Sequence, residues 1–572
     1  MLPEIQTGLT RLFRKTWINW IIIAGITVII YSGTLSFKIL INYDDDAYFQ
    51  DHRINELSTA HFGNYFSDYY LGMYQPLPVL SFAVLLKYFP GSAEAQRMAN
   101  LLLHCLNALL VLILIRRLTG NYRVAVLTSL FFAIHPMHVE SVAWIATRSN
   151  LMYSFFFLTS LILYVKWQEE RRIWEWLLMF FCFIISLFCK VTAATFPLVV
   201  ILLDWLSGKK FGRTTLLGYL PLILVSAVFI RIGIHASGAF GHITDLGQTY
   251  TFFDRIFILL HAMWLYLGKA ILPLDQSVIY LYPWKEAGSL PVVYFITGIL
   301  ALLVSTAILF TGWKLRKRET GKIILSGFLF FLLTLCIVLP LKWSRTVLIA
   351  ERYTYIPYIG IITGILMLSY NFAKAAGRMT RVFLWIVLTG VILAFSFISY
   401  NRTKVWKDPV SLFSDVIAKD RSGAEVSMGY YNRGNEYLRL QEPNLALSDY
   451  SQAIKVFPGY TEAYYNRGLV NFKIHDYQTA ADDFSMAISL RNNFTQAYLN
   501  RGTVYRSMRK YPLALEDFNR AIEIQPSGVA YFSRGALLYF NFNEIDLGCD
   551  DWNESLRLGY EPARELLEKY CL

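Results

Sequence analysis

Charge is scarce in this sequence. Only 16% of its 572 residues are Asp, Glu, Lys or Arg, against 55% hydrophobic, and the mean hydropathy is +0.40. That balance excludes an ordinary soluble protein and points to a chain that crosses a membrane several times. Cysteine is scarce too. The six residues show no metal-ligand spacing, and Cys105, Cys182, Cys189 and Cys336 fall in apolar runs, where they are expected to pack as small hydrophobes. Cys549 and Cys571 lie in a polar tail and would pair only in an oxidising compartment. No basic run with interleaved aromatics occurs in a soluble stretch, so the net charge of +12 is not read as a nucleic-acid footprint. The surplus is uneven: residues 1–420 hold 37 basic and 22 acidic residues, residues 421–572 hold 16 and 19. A basic membrane half owes its surplus to cytoplasmic loops and lipid headgroups.

Long apolar runs are plentiful. Twelve lie near 17–38, 97–115, 122–135, 150–167, 173–189, 191–206, 215–234, 254–272, 291–312, 322–341, 351–370 and 381–400. Arg11, Arg14 and Lys15 precede the first, which reads as an uncleaved span entered from the cytoplasm. Arg116, Arg117 and Arg123, then Arg171 and Arg172, then Lys209, Lys210 and Arg213 all fall inside on that orientation. The dense cluster Lys314, Arg316, Lys317, Arg318 and Lys322 keeps to the rule only if one earlier run does not cross. Asp254, Arg255, His261 and Lys269 interrupt 254–272, so that run is expected to be re-entrant or interfacial. About eleven spans remain, and both the first long loop (42–96) and the tail after Tyr400 land outside.

The outer face collects unusual residues. Asp44, Asp45 and Asp46 follow the first run directly, where lost hydration and mutual repulsion push a carboxylate toward work as a base. The plain alternative is an acidic flank to a span. The loop behind them is rich in aromatics (Tyr48, Phe49, Phe62, Tyr65, Phe66, Tyr69, Tyr70), and its apolar stretch 79–88, too short to span, is expected to lie on the membrane surface. His135, His138, Glu140 and Arg148 cluster at the end of the third run. The two histidines lack a third metal ligand, and Glu140 and Arg148 would pair across a turn if their role is structural. Lys190 stands alone between two apolar runs and either binds an anion or snorkels. Lys342, Arg345, Glu351 and Arg352 come to the outer mouth of the tenth and eleventh runs. Arginine suits phosphate through paired hydrogen bonds. Carboxylates beside a basic, apolar-walled groove fit a lipid-linked phosphosugar. The groove holds the lipid, the cations hold its phosphate, and a carboxylate deprotonates an acceptor hydroxyl.

The tail changes character. Asn-Arg-Gly recurs at 432–434, 466–468 and 500–502, and Ser533-Arg534-Gly535 follows 33 residues after the last of these Gly residues. Gly434, Ala446, Tyr450, Ala453 and Pro458, repeated 34 and 68 residues on with Asn492 in place of one proline, match the tetratricopeptide repeat (TPR) pattern. Arg433, Arg467, Arg501 and Arg534 are matched in period by Asp449, Asp483, Asp517 and Asp551, which suggests a ladder of ion pairs rather than a binding stripe. Four units are expected at 427–460, 461–494, 495–528 and 529–560. A linker and leading helix would occupy 401–426, and a capping helix 561–572. Such stacks offer a concave face to a peptide or partner protein.

The stretches NYDDDAYF, YQPLPVLSF, NLLLHCLNALLVLILIRRLTG, HPMHVESVAWIATRSNL, CKVTAATFPLVVILLDW, ERYTYIPYIG and NRTKVWKDPVSLF, in order and followed by the TPR array, resemble the transmembrane and TPR-containing O-mannosyltransferase family. The resemblance implies an all-α protein: a membrane bundle of the GT-C glycosyltransferase type over 1–400 followed by an α-solenoid. It implies inverting transfer of a mannose-like hexose from a polyprenyl-phosphate sugar, with the TPRs presenting an acceptor protein or glycan. Asp44 and Asp45 fall on the family's acidic pair, with Asp46 an extra. His135, His138, Glu140 and Arg148 fall on its second outer motif, and Glu351 and Arg352 on its last. Donor phosphate and lipid would meet Lys190, Arg345, Arg352 and Arg148. No cofactor is expected, although the three aspartates would suit a divalent cation. A bacterial inner membrane with a periplasmic tail is the favoured setting, and an endoplasmic reticulum membrane with a luminal tail the alternative. A competing function is a non-catalytic membrane anchor that recruits proteins through its TPRs. A transporter fits less well, because the charges sit at helix ends and no half of the chain repeats.

Overall fold

A computed structural model describes residues 2–41, 43–51, 54, 62–209, 212–239, 244–247, 249–283, 285, 288–340, 343–344, 347–419 and 423–571. The chain divides into two compact units, Met1–Asp415 and Val416–Leu572. Both are helical. Two two-residue strands, Thr244–Asp245 and Trp343–Ser344, pair antiparallel and leave the all-α class unchanged.

In the first unit each of the twelve apolar runs is helical. Among the described residues seven helices are long and apolar enough to cross a membrane: Trp17–Ser36, Ala93–Thr119, Thr215–Ala239, Val292–Lys314, Glu319–Val338, Pro357–Ala375 and Arg378–Val405. A further pair of helices meets the same test of length and composition only when taken together across a bend. Tyr122–Ile134 ends at Pro136 and continues as Pro136–Ala143 with a bend of 55°, because proline lacks the N–H and crowds the preceding turn. The run expected not to cross forms the helix Phe252–Ile271, which is long enough but stands outside the seven. The stretch 79–88 extends to a helix Pro76–Tyr88 that buries Val79, Phe82 and Leu86.

Sequence signals account for the helix ends. The Ser92 side chain accepts the Ala95 N–H at the start of Ala93–Thr119, and Gly120, at φ 65°, closes it in the left-handed conformation that glycine adopts without strain. Helices 319–335 and 357–375 cross at backbone contact. A Cβ on Gly327 would lie 2.7 Å from the Gly360 carbonyl oxygen, so only small residues permit this approach.

The second unit is a stack of helix hairpins: Gly423–Arg439 with Pro443–Val456, Thr461–Lys473 with Tyr477–Leu490, Thr495–Ser507 with Tyr511–Ile524, and Gly528–Leu537 with Ile545–Arg557, followed by Pro562–Tyr570. In the second pair a Cβ on Gly468 would lie 2.9 Å from the Phe484 ring, and Gly434 and Gly502 meet Tyr450 and Phe518 in the same way. The periodic charges do pair: Arg433–Asp449 at 2.8 Å, Arg467–Asp483 at 2.6 Å, Arg501–Asp517 at 2.7 Å and Arg534–Asp551 at 2.7 Å. Arg467 and Arg501 also reach back to Ser451 and Ser485 of the preceding unit, at 3.1 and 3.0 Å. The ladder thus ties neighbouring repeats together. Cys549 and Cys571 form a disulfide that fastens the last helix to the stack.

Gly468→Leu should destabilise the array by roughly 1–3 kcal/mol, because the added side chain has nowhere to go against Phe484. Ser485→Ala, which removes one hydrogen bond from Arg501, should cost about 0.5–1.5 kcal/mol. Thermal unfolding of the full chain in detergent ranks the two, and an unchanged Gly468→Leu midpoint would contradict the packing. A maleimide should label Cys549 and Cys571 in the purified full chain only after reduction. Labelling without reductant would show that the pair is not joined.

Candidate active site

The acidic loop is held by the cation that opens the second apolar run. Arg97, in the second turn of Ala93–Thr119, is 1% exposed. Its guanidinium donates to the carbonyls of Phe37, Lys38 (2.5 Å) and Ala143 (3.4 Å). A lone cation inside an otherwise uncharged run was the available signal, because such a charge must be satisfied within the protein.

The three aspartates have three different fates. Asp45, the first residue of the short helix Asp45–Gln50, is fully buried. Its Oδ2 accepts the Leu40 N–H at 3.2 Å and its Oδ1 the Ala146 N–H at 2.9 Å. It stitches the loop to the bend after the third run. Burial pushes its carboxyl up to about 7, while the Arg97 charge and the two N–H groups pull the other way. Asp44, at φ 67°, is exposed and lines a cavity of about 260 Å3. A left-handed aspartate is an uncommon backbone state that its short polar side chain tolerates. Asp46 is half-buried and does not line the cavity.

Two of the expected cations line the same cavity. Lys190, just beyond the helix Ile173–Cys189, donates to Asn150 Oδ1 at 3.0 Å and lies 5.6 Å from the centre of the Tyr353 ring. Arg352 is held by Glu140. Its guanidinium pairs with Oε1 and its backbone N–H donates to Oε2 at 2.7 Å. The Arg352 guanidinium also lies over the Trp144 ring, 5.2 Å from its centre. Phe229, Ile230 and Ile234 of the helix Arg213–Ala239, with Ile337 to Leu339, supply an apolar lining. The cavity therefore combines one exposed carboxylate, two cations and greasy walls.

The remaining expected residues lie elsewhere. Arg148 is 1% exposed and does not line the cavity. It donates to Asn100 Oδ1 at 3.0 Å and to the Gln96 carbonyl at 2.7 Å, and it lies 4.2 Å from the centre of the Phe82 ring. It braces three helices and is not placed to meet a donor phosphate in the cavity. Nor does it pair with Glu140, whose partner is Arg352. His135 and His138 are buried in an aromatic stack with Phe132, Tyr355, Tyr358 and Phe395. His135 Nδ1 accepts the Met137 N–H at 3.2 Å, and His138 Nδ1 lies 2.8 Å from the Phe132 carbonyl oxygen. Neither lines the cavity. Glu351 is buried, accepts from Tyr280 at 3.2 Å, and pairs at 3.3 Å with Arg402, which also holds Asp415 at 2.7 Å. Burial raises the Glu351 carboxyl and the Arg402 charge lowers it. Arg345 and Lys342 lie outside the described residues. Among the described residues no three His, Cys, Asp or Glu side chains converge on a point that would suit a metal, and Asp44, Asp45 and Asp46 diverge.

A broken-helix membrane bundle with a polar cavity, joined in sequence to helix hairpins, defines a multi-pass membrane protein with a C-terminal TPR array. Comparison with known proteins agrees. Residues 431–493 and 495–527 match tetratricopeptide repeat families. The curated relatives to which this chain is similar are named protein O-mannosyl-transferases. It is similar to the protein O-mannosyl-transferase F38B6.6 of Caenorhabditis elegans, at 25% identity over 68% of this chain and 54% of that one. It is similar to TMTC3 of Homo sapiens, at 23% identity over 67% and 45%. The chain thus spans about half the length of the curated relatives it matches. The chain is also similar to the crystal structure of MamA, at 26% identity over 27% of this chain and 89% of that one, with a TM-score of 0.25.

Asp45 predicts a pH dependence of stability. Its folded carboxyl holds a proton up to about 7, while the unfolded one releases it near ~3.9. Between those values the folded state binds more protons, so this group's contribution is complete below the lower value and is lost as pH rises toward the upper one. Thermal midpoints of wild type relative to Asp45→Asn should fall across that window. A flat difference from pH 4 to 8 would remove the assignment.

Proposed function

We propose that the chain is a GT-C type glycosyltransferase that moves a hexose from a polyprenyl-phosphate sugar to an acceptor hydroxyl on the outer face of the membrane. The observation that carries the reading is the cavity lined together by Asp44, Lys190 and Arg352. The relatives' printed names, protein O-mannosyl-transferase, support a glycosyltransferase and a protein acceptor.

The chemistry follows from the placement. The apolar wall of Phe229, Ile230 and Ile234 takes the start of the polyprenyl chain. Lys190 and Arg352 hold the phosphate. The acceptor oxygen attacks the anomeric carbon from the face opposite the phosphate. A new C–O bond forms as the bond to the phosphate oxygen breaks, and the configuration inverts. The bonding pair leaves on that oxygen, where the two cations stabilise the growing charge. Asp44 takes the hydroxyl proton and returns it to solvent. Glu140 acts by aiming Arg352, and Asp45 by anchoring the loop that presents Asp44. The TPR array presents an acceptor or a partner protein. The Cys549–Cys571 disulfide supports an oxidising compartment for the tail, periplasmic in a bacterium or luminal in an endoplasmic reticulum.

The test is hexose transfer from polyprenyl-phosphate mannose, glucose and galactose by purified full-length protein. Asp44→Asn should lower turnover by roughly 10²–10⁴-fold with the melting temperature unchanged. Lys190→Gln should cost about 10²–10³-fold. Full turnover in Asp44→Asn would eliminate it as the base. A wild type inert with all three donors would leave the membrane-anchored TPR scaffold as the better reading.

A further inference from the structure

A second cavity, of about 460 Å3, lies between the helices Tyr122–Ile134, Pro357–Ala375 and Arg378–Val405, away from the one described above. Its walls are almost wholly apolar. Leu366, Leu388 and Phe395 line it, and Trp385 leaves 53% of its surface uncovered. The helix Arg378–Val405 is loosely held: only 11% of its most apolar window is buried inside the protein. Between spans in a bilayer, a gap this large with apolar walls is filled by lipid chains, because the lining otherwise loses its contacts.

One end of the gap is different. Arg123, Lys374 and Arg381 line it, all three exposed, and no acidic side chain is among the described residues lining the cavity. They come from the start of one helix and from both sides of the short connection at Ala376–Gly377. None of the three side chains makes an ion pair with the described residues. Three cations around the mouth of an apolar slot match a molecule with an anionic head and a hydrocarbon tail. By the positive-inside rule these three residues fall on the same side as the other basic connections of the sequence, the side expected to face anionic headgroups. From this geometry we infer that the slot is a binding site for an anionic diacyl phospholipid. The phosphodiester meets Arg123, Lys374 and Arg381, and one acyl chain lies along Leu366, Leu388 and Phe395. The lipid would wedge the last helix against its neighbours.

Native mass spectrometry of the full chain in detergent, with phosphatidylglycerol and phosphatidylcholine of matched chains, tests the site. Phosphatidylglycerol should be retained in preference. The triple variant Arg123→Gln, Lys374→Gln, Arg381→Gln should weaken its retention by roughly a hundredfold. Ser369→Trp fills the slot without changing charge and should weaken it as well. The variant Arg316→Gln, Lys317→Gln, Arg318→Gln alters a basic connection that does not line the slot and should retain the lipid as wild type does. Equal retention of both lipids, or equal loss in the two triple variants, would reduce the effect to general surface charge and overturn the site. So would full retention in Ser369→Trp. Preferential capture of undecaprenyl phosphate over phosphatidylglycerol through the same three cations would overturn the choice of occupant.

Discussion

The acidic loop and the cavity beside it depend on a buried charge clasp. Arg97 and Asp45 are both withdrawn from solvent, and each is satisfied largely by backbone: three carbonyls for the guanidinium, two N–H groups for the carboxylate. An unsatisfied buried charge costs several kcal/mol, so this arrangement permits little slack. The clasp gathers the end of the first long helix, the acidic loop and the bend at Pro136–Ala143. Asp44 is then exposed at one defined place because its neighbour cannot move.

The same rule sorts the remaining charges. Arg148 donates to Asn100 and Gln96, and Arg402 pairs through its two terminal nitrogens with Glu351 and Asp415. These cations are part of the frame. Arg352 is different. Glu140 engages one guanidinium nitrogen and the backbone N–H, and a guanidinium has five donors. An arginine fixed by a carboxylate behind it, with its remaining donors at a cavity wall, is preorganised for an anion. In the proposed reaction that orientation would need no rearrangement as charge develops on the leaving phosphate.

Much of this was legible in the sequence, and the limits follow from what a sequence encodes. The TPR array was readable to the pairing of Arg467 with Asp483, because a repeat displays each contact several times at one period. The helices of the membrane half were readable from apolar length, and the break after Ile134 from Pro136. Which aspartate meets the cavity was not readable. Asp44, Asp45 and Asp46 are chemically identical neighbours, and a single left-handed residue at Asp44 separates them. Arg148 looked like a phosphate ligand because it stands beside Glu140 in a polar motif. Its fate was decided by Asn100 and Gln96 on another helix, a tertiary fact with no local signal.

The two units spend ion pairs in opposite ways. In the array each Arg–Asp pair is half-buried and repeated, with arginine exposures of 19–24% and aspartate exposures of 4–8%. Such pairs set the register between units at modest cost per pair. In the membrane half the pairs Arg352–Glu140 and Arg402–Glu351 lie deeper, with side-chain exposures of 16% and 2% and of 5% and 1%, so each carries a larger desolvation cost. Losing one rung of the ladder would loosen one junction. Losing Arg97 would leave Asp45 in an apolar site without its cation and free the loop on which Asp44 stands. A membrane site built from so few charges therefore tolerates little change in its frame, even where the frame touches no substrate.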